Sequence, residues 1–296
     1  MKAGVVSLVG RPNAGKSTLL NRLVGEKVAI VSDKPQTTRT RVVGVRHAPD
    51  GQIVFVDTPG IHKPAHRMNV RMVDVALAAM RGVDLLTLVV DASARPGPGD
   101  RYLLSLLHDV STPAILALNK VDLVDKPRLL PLLEEYRQAH PFVELVPISA
   151  VDGTNVDVLE RLLLAHLPEG EPLYPPDYLT DQPERVYAAE IVREKVLQLT
   201  RDELPFSTAV VVDRFEDPRD GGLMRIFCSI LVERPSQKPI VVGKGGSMIR
   251  EIGTTARREL EAFFATRVFL DLHVKVKSEW RDNERLLDEL GLQRGS

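Results

Sequence analysis

A glycine-rich loop near the amino terminus constrains the fold of this 296-residue chain more than any other feature. The loop follows an apolar, β-branched run and precedes a helical pattern, which is the context of a phosphate-binding loop. Its glycines let successive backbone amides face phosphate oxygens, and the positive end of the following helix strengthens that contact. We expect nucleotide contacts from the whole loop and from the residue after it: Gly10, Arg11, Pro12, Asn13, Ala14, Gly15, Lys16, Ser17 and Thr18.

Short apolar runs alternate with helical stretches in the first part of the chain. The runs predict strands at residues 4–9, 42–47, 53–56, 85–90, 115–118 and 145–148, with 42–47 at an edge. The stretches between them predict helices at 15–24, 67–80, 101–108, 128–139 and 156–167. This alternation is typical of an α/β domain with a mostly parallel sheet and helices on both faces. Ligands of such sheets bind at the carboxyl ends of the strands, where the motifs of this domain fall.

A second motif indicates which base the nucleotide carries. The sequence Asn-Lys-Val-Asp at 119–122 directly follows a predicted strand. A carboxylate at Asp122 can accept two hydrogen bonds from the N1 and N2 donors of guanine. Adenine lacks these donors and would leave the charge unpaired, at a cost on the order of several kcal/mol. The loop after the last strand fits behind guanine O6, so the predicted base site comprises Asn119, Lys120, Asp122, Ser149 and Ala150.

Metal ligands are expected beside the phosphates. Lys16 can reach the β- and γ-phosphates, and the Ser17 hydroxyl can ligate Mg²⁺. The motif Asp57-Thr58-Pro59-Gly60 ends a strand, so Asp57 can hold Mg²⁺ through water and Gly60 can offer the γ-phosphate an amide. A threonine in the polar stretch 36–40 commonly supplies a further Mg²⁺ ligand. The residues alone leave the choice open between Thr37, Thr38 and Thr40.

The pattern of the chain changes after residue 167. The segment 167–183 holds five prolines and few periodic apolar positions, which predicts a semi-rigid linker. Beyond it we expect a helix at 185–201, antiparallel strands at 208–215 and 223–233, a helix–turn–helix at 240–265, a strand at 268–276 and a final helix at 279–290. The predicted boundaries are therefore a nucleotide-binding domain at 1–168, a linker at 169–184 and an α+β domain at 185–296.

The turn of this helix–turn–helix reads Gly-Lys-Gly-Gly at 243–246. A Gly-x-x-Gly turn lets a sugar–phosphate backbone approach closely, and Lys244 adds charge at its tip. Residues 238–277 carry eight Lys or Arg and four Asp or Glu, in a chain whose formal net charge is −1. Such an excess can neutralise phosphates, although a solvated helix face is the alternative. We expect RNA contacts from Gly243, Lys244, Gly245, Gly246, Ser247, Arg250 and Arg257.

Together, these residues resemble the translation-factor-related GTPases and, within them, the Era family. The resemblance covers essentially the whole chain and rests on residues 10–18, on Gln-Thr-Thr-Arg at 36–39, on Asp-Thr-Pro-Gly-Ile-His at 57–62 and on 119–122. It implies a P-loop GTPase domain followed by a KH RNA-binding domain of the prokaryotic, type II form. It also implies that Thr38 is the Mg²⁺ ligand and that Thr37 belongs to a potassium-binding loop.

The expected activity is hydrolysis of GTP to GDP and phosphate. Many GTPases orient the attacking water with a glutamine after the Asp-x-x-Gly motif, but Ile61 stands here and its side chain cannot form a hydrogen bond. The resemblance implies that K⁺ replaces an arginine finger and is held in part by Asn13. We expect slow, Mg²⁺-dependent, K⁺-stimulated hydrolysis, with His62 and His66 in solvated surface positions. The residues expected to act in hydrolysis are Lys16, Asn13, Thr38 and Gly60.

The resemblance also implies a partner, the 3′ end of 16S rRNA, and roles in 16S rRNA processing and 30S ribosomal subunit biogenesis. No apolar run is long enough to span a membrane, and the single cysteine, Cys228, rules out an internal disulfide. We expect a cytoplasmic monomer. The alternative is a membrane-peripheral signalling GTPase, weakly associated with the inner face of the cell membrane. A P-loop ATPase or kinase is opposed by the motif at 119–122.

Overall fold

A computed structural model describes residues 1–34, 36–61, 66–200, 204, 207–218 and 222–292. The first part of the chain forms a six-stranded sheet with the strand order β2-β3-β1-β4-β5-β6. Neighbouring strands are parallel except β2 and β3, which are antiparallel. The strands are β1 (Lys2–Gly10), β2 (Val42–Ala48), β3 (Gly51–Asp57), β4 (Leu85–Asp91), β5 (Ala114–Asn119) and β6 (Glu144–Pro147).

Helices cover both faces of this sheet. They are α1 (Lys16–Val24), α2 (Arg67–Ala78), α3 (Pro98–His108), α4 (Leu129–Ala139) and α5 (Val156–His166). Successive side chains of a strand point to opposite faces, so Leu8 of β1 packs in the cluster with α1 and α5, and Val9 in the cluster with α2 and α3. The predicted α/β architecture with a mostly parallel sheet is confirmed.

The second part of the chain forms a three-stranded sheet with the order β7-β8-β9. Its strands are β7 (Ala209–Glu216), β8 (Met224–Val232) and β9 (Val268–Val276), and its helices are α6 (Glu184–Leu199), α7 (Lys238–Val242), α8 (Ser247–Phe264) and α9 (Glu284–Glu289). The β7–β8 pair is antiparallel and the β8–β9 pair is parallel. Helices α6 and α8 bury one face of this sheet around Ile191, Cys228 and Ile252. The predicted element order of a type II KH domain is confirmed.

The proline-rich segment between the two sheets packs along the outer edge of the first one. The backbone amide of Val45 in β2 donates to the Leu179 carbonyl at 2.8 Å. The rings of Tyr174 and Tyr178 stack with their centroids 4.6 Å apart. Both rings contact a cluster of buried valines from β2 and β3, namely Val43, Val45, Val54 and Val56. The segment therefore covers an edge strand whose backbone would otherwise face solvent.

The predicted final helix at 279–290 is wrong at its start. Glu279 has a left-handed backbone (φ 53°), and a single 3₁₀ turn at Trp280–Asp282 precedes α9. Asn283 begins α9 because its side chain accepts a hydrogen bond from the Leu286 amide at 3.0 Å. The indole of Trp280 is fully buried and donates to the Ser207 carbonyl at 2.9 Å, which makes it a packing anchor.

Two further expectations concern a loop and the membrane. His62 lies outside the described residues, whereas His66 pairs with Asp282, with Nδ1 and Oδ2 3.4 Å apart. Within the part of the chain that the structure describes, every helix is too short or too polar to cross a membrane.

Candidate functional site

The phosphate-binding loop lies at the carboxyl end of β1 and leads into α1. It forms one wall of a cavity of about 330 Å³, and residues 30–33 and 36–38 form the opposite wall. The ammonium of Lys16 donates to the carbonyls of Gly10 (3.2 Å) and Arg11 (3.1 Å), which holds it across the loop. Burial lowers the pKa of Lys16. Burial disfavours the charged form of Lys16, so an anion in this cavity would stabilise the ammonium. The loop residues that line the cavity are Pro12, Asn13, Gly15, Lys16, Ser17 and Thr18.

Three side chains predicted to hold Mg²⁺ meet beside Lys16. The Ser17 hydroxyl lies 2.6 Å from Asp57 Oδ2 and 2.8 Å from Thr38 Oγ1. The Thr38 hydroxyl also donates to Asp57 Oδ2, at 3.2 Å. In contrast, Thr37 donates its hydroxyl to the Lys34 carbonyl at 2.6 Å, away from this cluster. The geometry thus favours Thr38 among the three threonines.

The oxygen atoms of this cluster fit a magnesium ion. Mg²⁺ is usually bound by one or two carboxylates together with phosphates and waters. Asp57 is fully buried, and its second oxygen, Oδ1, has no hydrogen-bond partner among the described residues. Burial raises the pKa of Asp57, while Lys16 and hydrogen bonds from Ser17 and Thr38 oppose that shift. A cation here would compensate a buried carboxylate that the protein alone leaves partly unsatisfied.

The backbone of Gly60 touches the phosphate-binding loop. A Cβ at this position would lie 2.5 Å from the backbone nitrogen of Pro12, so only glycine fits. The amide of the next residue, Ile61, donates to the Gly10 carbonyl at 3.3 Å. The Ile61 side chain packs in the core beside α2. Thr58 and Pro59 are buried behind the loop. Ile61 therefore presents no polar group to a water at the phosphates.

Asn119 joins the phosphate-binding loop to the predicted base site. Its Nδ2 donates to the Ala14 carbonyl at 2.9 Å, and its Oδ1 accepts from the Ala150 amide at 2.9 Å. Lys120 has a left-handed backbone (φ 65°), and its ammonium pairs with Asp91 Oδ2 at 2.6 Å. These contacts bring the ends of β4, β5 and β6 together.

The remaining base-site residues lie beside this group. Asp122 is exposed in the 3₁₀ turn Val121–Leu123, directly after Lys120. Ser149 is fully buried, and its hydroxyl oxygen accepts from the Asp152 amide at 3.3 Å. Sequence reasoning missed Asp91, whose only signal was its position at the end of an apolar strand.

Two other loop side chains make longer-range contacts. Asn13 is exposed, has a left-handed backbone (φ 64°) and donates its Nδ2 to the Asp33 carbonyl at 2.7 Å. Arg11 pairs with Asp100 of α3 at 2.7 Å, on the far side of the loop. Sequence reasoning also missed the lining segment Ile30–Asp33; its position between α1 and the threonine stretch was the available signal.

A second candidate site lies on the second sheet, beside the turn at 243–246. A groove of about 400 Å³ runs between α8 and β9. Positive φ angles at Gly243 (74°), Gly245 (60°) and Gly246 (79°) shape the turn, and a Cβ on either of the last two would meet no atom within 4 Å. The turn is therefore open to close approach by another backbone. The groove is lined by Gly246, Ile249, Arg250, Gly253, Thr254, Arg257, Leu270 and Leu272.

The groove combines an apolar floor with cationic edges. Arg250 and Arg257 are both exposed and stand two helical turns apart on α8, so they mark one side. Lys244 and Ser247 are exposed at the mouth rather than in the lining. This arrangement suits a strand of bases against the apolar wall with its phosphates near the cations. Gly253, Thr254, Leu270 and Leu272 were missed, because neither charge nor glycine spacing marks them.

Comparisons with known proteins identify the family of each domain. Residues 5–120 match the family described as "50S ribosome-binding GTPase", and residues 203–281 match the KH domain family. The chain is 51% identical to GTPase Era of Geobacter metallireducens, over 98% of this chain and 97% of that protein. It is 48% identical to GTPase Era of Heliobacterium modesticaldum, over 98% of this chain and 97% of that protein. The chain belongs to the Era family of GTPases.

Solved Era structures share the whole architecture. A single-substitution variant of Aquifex aeolicus Era bound to GDP·AlF4⁻ superposes with a TM-score of 0.94 at 42% identity, over 99% of each chain. An Era complex with MgGDPNP and nucleotides 1506–1542 of 16S ribosomal RNA gives a TM-score of 0.95 at 42% identity, also over 99% of each chain. The predictions of the Era family, the P-loop GTPase domain and the KH domain are confirmed. The individual site residues and the domain boundaries stay predictions.

Proposed function

We propose that this Era-family GTPase is a nucleotide-dependent switch that binds the 3′ end of 16S rRNA and acts in 16S rRNA processing and 30S subunit biogenesis. The observation that carries the proposal is direct contact between the nucleotide cavity and the KH domain. Arg39, next to Thr38, donates to the Thr208 carbonyl at 2.8 Å, and its guanidinium carbon lies 5.4 Å from the centre of the Trp280 ring. A change in the position of Thr38 would therefore act directly on the KH domain through Arg39.

A second contact lies on the other side of the cavity. Helix α2 follows Gly60 along the chain, and its Met68 and Met72 pack against Trp280 and Leu287. The backbone amide of Arg67 donates to Asp282 Oδ1 at 3.0 Å. Both segments that respond to the γ-phosphate in GTPases thus touch the KH domain. The Era complex that holds both MgGDPNP and 16S rRNA supports the same pairing of ligands for this chain.

Each proposed ligand has residues that suit it. Lys16, the loop amides and Gly60 would hold the phosphates of GTP or GDP, and residues 119–122 with Ser149 and Ala150 would hold guanine. Ser17 and Thr38 would hold Mg²⁺ directly, with Asp57 acting through water. The ion would supply charge neutralisation for the β- and γ-phosphates. We propose K⁺ near Asn13 as a further stimulating ion, and a cytoplasmic monomer as the working form.

RNA binding by the purified full-length chain tests the proposal. An oligonucleotide with the 3′-end sequence of 16S rRNA is titrated in the presence of GDP and of a non-hydrolysable GTP analogue. We expect different dissociation constants with the two nucleotides. Lys244→Glu should weaken binding by about tenfold or more, because it puts a negative charge where a phosphate lies, and should reduce the salt dependence. Guanine-nucleotide affinity should not change.

A charge-matched control separates local contacts from net charge. Lys126 is exposed on the GTPase domain, in the 3₁₀ turn before α4, and does not line the KH groove, so Lys126→Glu should leave RNA affinity near that of the unmodified chain. Equal weakening by both substitutions would refute the groove. RNA affinity that does not depend on the nucleotide would refute the switch while leaving the GTPase assignment intact. Sedimentation with anionic vesicles in place of RNA binding would favour a membrane-peripheral role.

A further inference from the structure

The segment before Thr38 packs partly against its own domain and partly against the KH domain: Val28 and Ala29 lie in the core of the first sheet, whereas Ile30 does not. Ile30, in the wall of the nucleotide cavity, is 4% exposed and belongs to the hydrophobic core of the KH domain, with Tyr187 and Ile191 of α6. Burial of an isoleucine side chain contributes about 1.5–3 kcal/mol. This part of the GTPase site is therefore built on an apolar surface that the second domain supplies.

Polar groups of α6 hold the backbone of the same segment. The Tyr187 hydroxyl donates to the Lys27 carbonyl at 3.1 Å. Glu194, which is fully buried, accepts from the Val31 amide at 2.8 Å and from the Lys27 ammonium at 2.7 Å. Gln198 Nε2 donates to the Val31 carbonyl at 3.2 Å. Because these contacts recur along α6, the helix holds the chain at Lys27 and at Val31.

The last of these contacts lies next to the proposed metal ligand. Arg193 of α6 is 1% exposed, and its guanidinium donates to the Thr37 carbonyl. Glu190, one helical turn earlier, accepts from Arg193 Nε at 2.8 Å and so orients the guanidinium. Thr37 is bonded directly to Thr38, whose hydroxyl lies 2.8 Å from Ser17. Fixing the Thr37 carbonyl therefore restricts where the Thr38 hydroxyl can lie.

We propose that α6 of the KH domain is a template for the chain at Lys27, Val31 and Thr37, and that Arg193 is a positioning residue for GTP hydrolysis. Arg193 holds the Thr37 carbonyl so that the Thr38 hydroxyl stays beside Ser17 and Asp57. This inference rests on the proposed role of Thr38 in binding Mg²⁺ with GTP. The KH domain then contributes to catalysis by the GTPase domain in the same chain. By thermodynamic linkage, bound GTP also stabilises these contacts between α6 and the GTPase domain.

The inference predicts an asymmetry between the two nucleotides. Protein contacts through a threonine of this kind form with the γ-phosphate and its metal ion and are released after hydrolysis. Loss of Arg193 should therefore weaken interactions with the triphosphate and spare those with GDP. A purely structural role in the KH core would affect both nucleotides alike, or neither.

Kinetics of Arg193→Gln in the full chain test this prediction. We expect kcat for GTP to fall by about tenfold, the effect of losing one charge-assisted hydrogen bond. The Mg²⁺ concentration for half-maximal rate should rise, and the affinity for a non-hydrolysable GTP analogue should fall while the affinity for GDP stays unchanged. Arg193→Lys, which keeps a cationic donor, should recover part of the loss.

Arg185→Gln is the matched control. Arg185 lies on the same helix and also donates to a backbone carbonyl, that of Val212 at 2.6 Å, but within the KH domain. It should keep the kcat and the analogue affinity of the unmodified chain. Glu190→Gln serves as a second variant if Arg193→Gln fails to fold, since it loosens Arg193 without removing it. Glu190→Gln should also raise the Mg²⁺ concentration for half-maximal rate.

The outcomes distinguish this inference from the proposed function. If Arg193→Gln and Glu190→Gln hydrolyse GTP with the kcat and Mg²⁺ dependence of Arg185→Gln, Arg193 has no positioning role, although the nucleotide-dependent RNA affinity would stand. An equal loss of GDP and analogue affinity would also overturn it. If the unmodified chain binds RNA equally well with both nucleotides but the variants lose kcat selectively, the switch fails and the positioning role survives.

Discussion

Asn13 shows how much chemistry one residue can carry within a phosphate-binding loop. Its left-handed backbone (φ 64°) and its exposed side chain place the amide at the rim of the nucleotide cavity. The amide nitrogen donates to the Asp33 carbonyl at 2.7 Å. The oxygen Oδ1, and not this nitrogen, would ligate a cation. The nitrogen thus fixes the lining segment, and the oxygen is the atom that would hold the proposed K⁺.

Replacing Asn13 with Ala should remove stimulation of GTP hydrolysis by K⁺. We expect the rate in K⁺ to fall to the rate in Na⁺, because an alanine offers no oxygen ligand. The measurement is the turnover of GTP at equal ionic strength in the two salts.

Asn155→Ala provides the control for that substitution. Asn155 also has a left-handed backbone (φ 55°) and donates its amide to a carbonyl, that of Pro147 at 2.8 Å, away from the nucleotide cavity. The ratio of rates in K⁺ and Na⁺ should be unchanged in this variant. Identical rates in the two salts for the unmodified chain would end the K⁺ proposal.

At the scale of elements, the segment at 169–184 has a structural role that its composition conceals. Prolines indicate stiffness, but they do not indicate that the stacked pair Tyr174 and Tyr178 covers the valines of β2 and β3. The segment also completes hydrogen bonds of β2, an edge strand, through the Leu179 carbonyl. It therefore fixes one end of α6 relative to the first sheet, since α6 begins at Glu184.

Tyr178→Ala should lower the free energy of unfolding of the GTPase domain. We expect a loss of about 1–2 kcal/mol, because the substitution removes a half-buried aromatic ring and its stacking contact with Tyr174. Tyr102→Ala, at a ring that is 46% exposed, should cost less. Chemical denaturation of both variants measures the difference. Equal losses in the two variants would show that the segment contributes no stability through this contact.

The boundaries of most elements could be predicted because they depend on neighbouring residues. β1 and α1 follow from an apolar run, a glycine turn and an amphipathic stretch that are contiguous. The start of α9 was placed too early, because the capping residue Asn283 was taken as part of the helix. The 3₁₀ turn at Trp280–Asp282 could not be predicted, because the buried indole of Trp280 is held by the carbonyl of Ser207, far away along the chain.

At the scale of the whole molecule, helix α2 joins the nucleotide cavity to the carboxyl-terminal helix. Arg71 of α2 is 5% exposed and pairs with Asp288 of α9 at 2.7 Å and with Glu284. Buried charges that lose their partners are costly, so this pairing strongly favours one relative position of α2 and α9. α2 follows Gly60, whose amide is expected to contact the γ-phosphate.

Arg71→Gln should make RNA affinity less dependent on the nucleotide. We expect the ratio of RNA dissociation constants in GDP and in a non-hydrolysable GTP analogue to move toward one, because the neutral side chain no longer ties α2 to α9. Arg161→Gln removes an exposed ion pair with Asp157 in α5 and should leave that ratio unchanged. An unchanged ratio in both variants would mean that α2 does not transmit the nucleotide state.

The P-loop GTPase domain, the preference for guanine and the KH domain could all be predicted from the sequence, because each depends on motifs whose members lie within a few residues of one another. Local geometry then follows from glycine freedom, strand periodicity and the position of the next helix. The residues alone could not distinguish Thr38 from Thr37. The family resemblance implied Thr38, and the 2.8 Å contact of its hydroxyl with Ser17 in the tertiary structure favours the same residue.

Which parts of the KH domain touch the nucleotide site is visible only in the tertiary structure. Arg193 and Thr37 are 156 residues apart, and neither lies in a motif with the other. Their contact depends on how two separately patterned sheets pack across α6 and the segment at 169–184. Packing of this kind depends on complementary surfaces rather than on local periodicity, so a pattern in the sequence does not predict it.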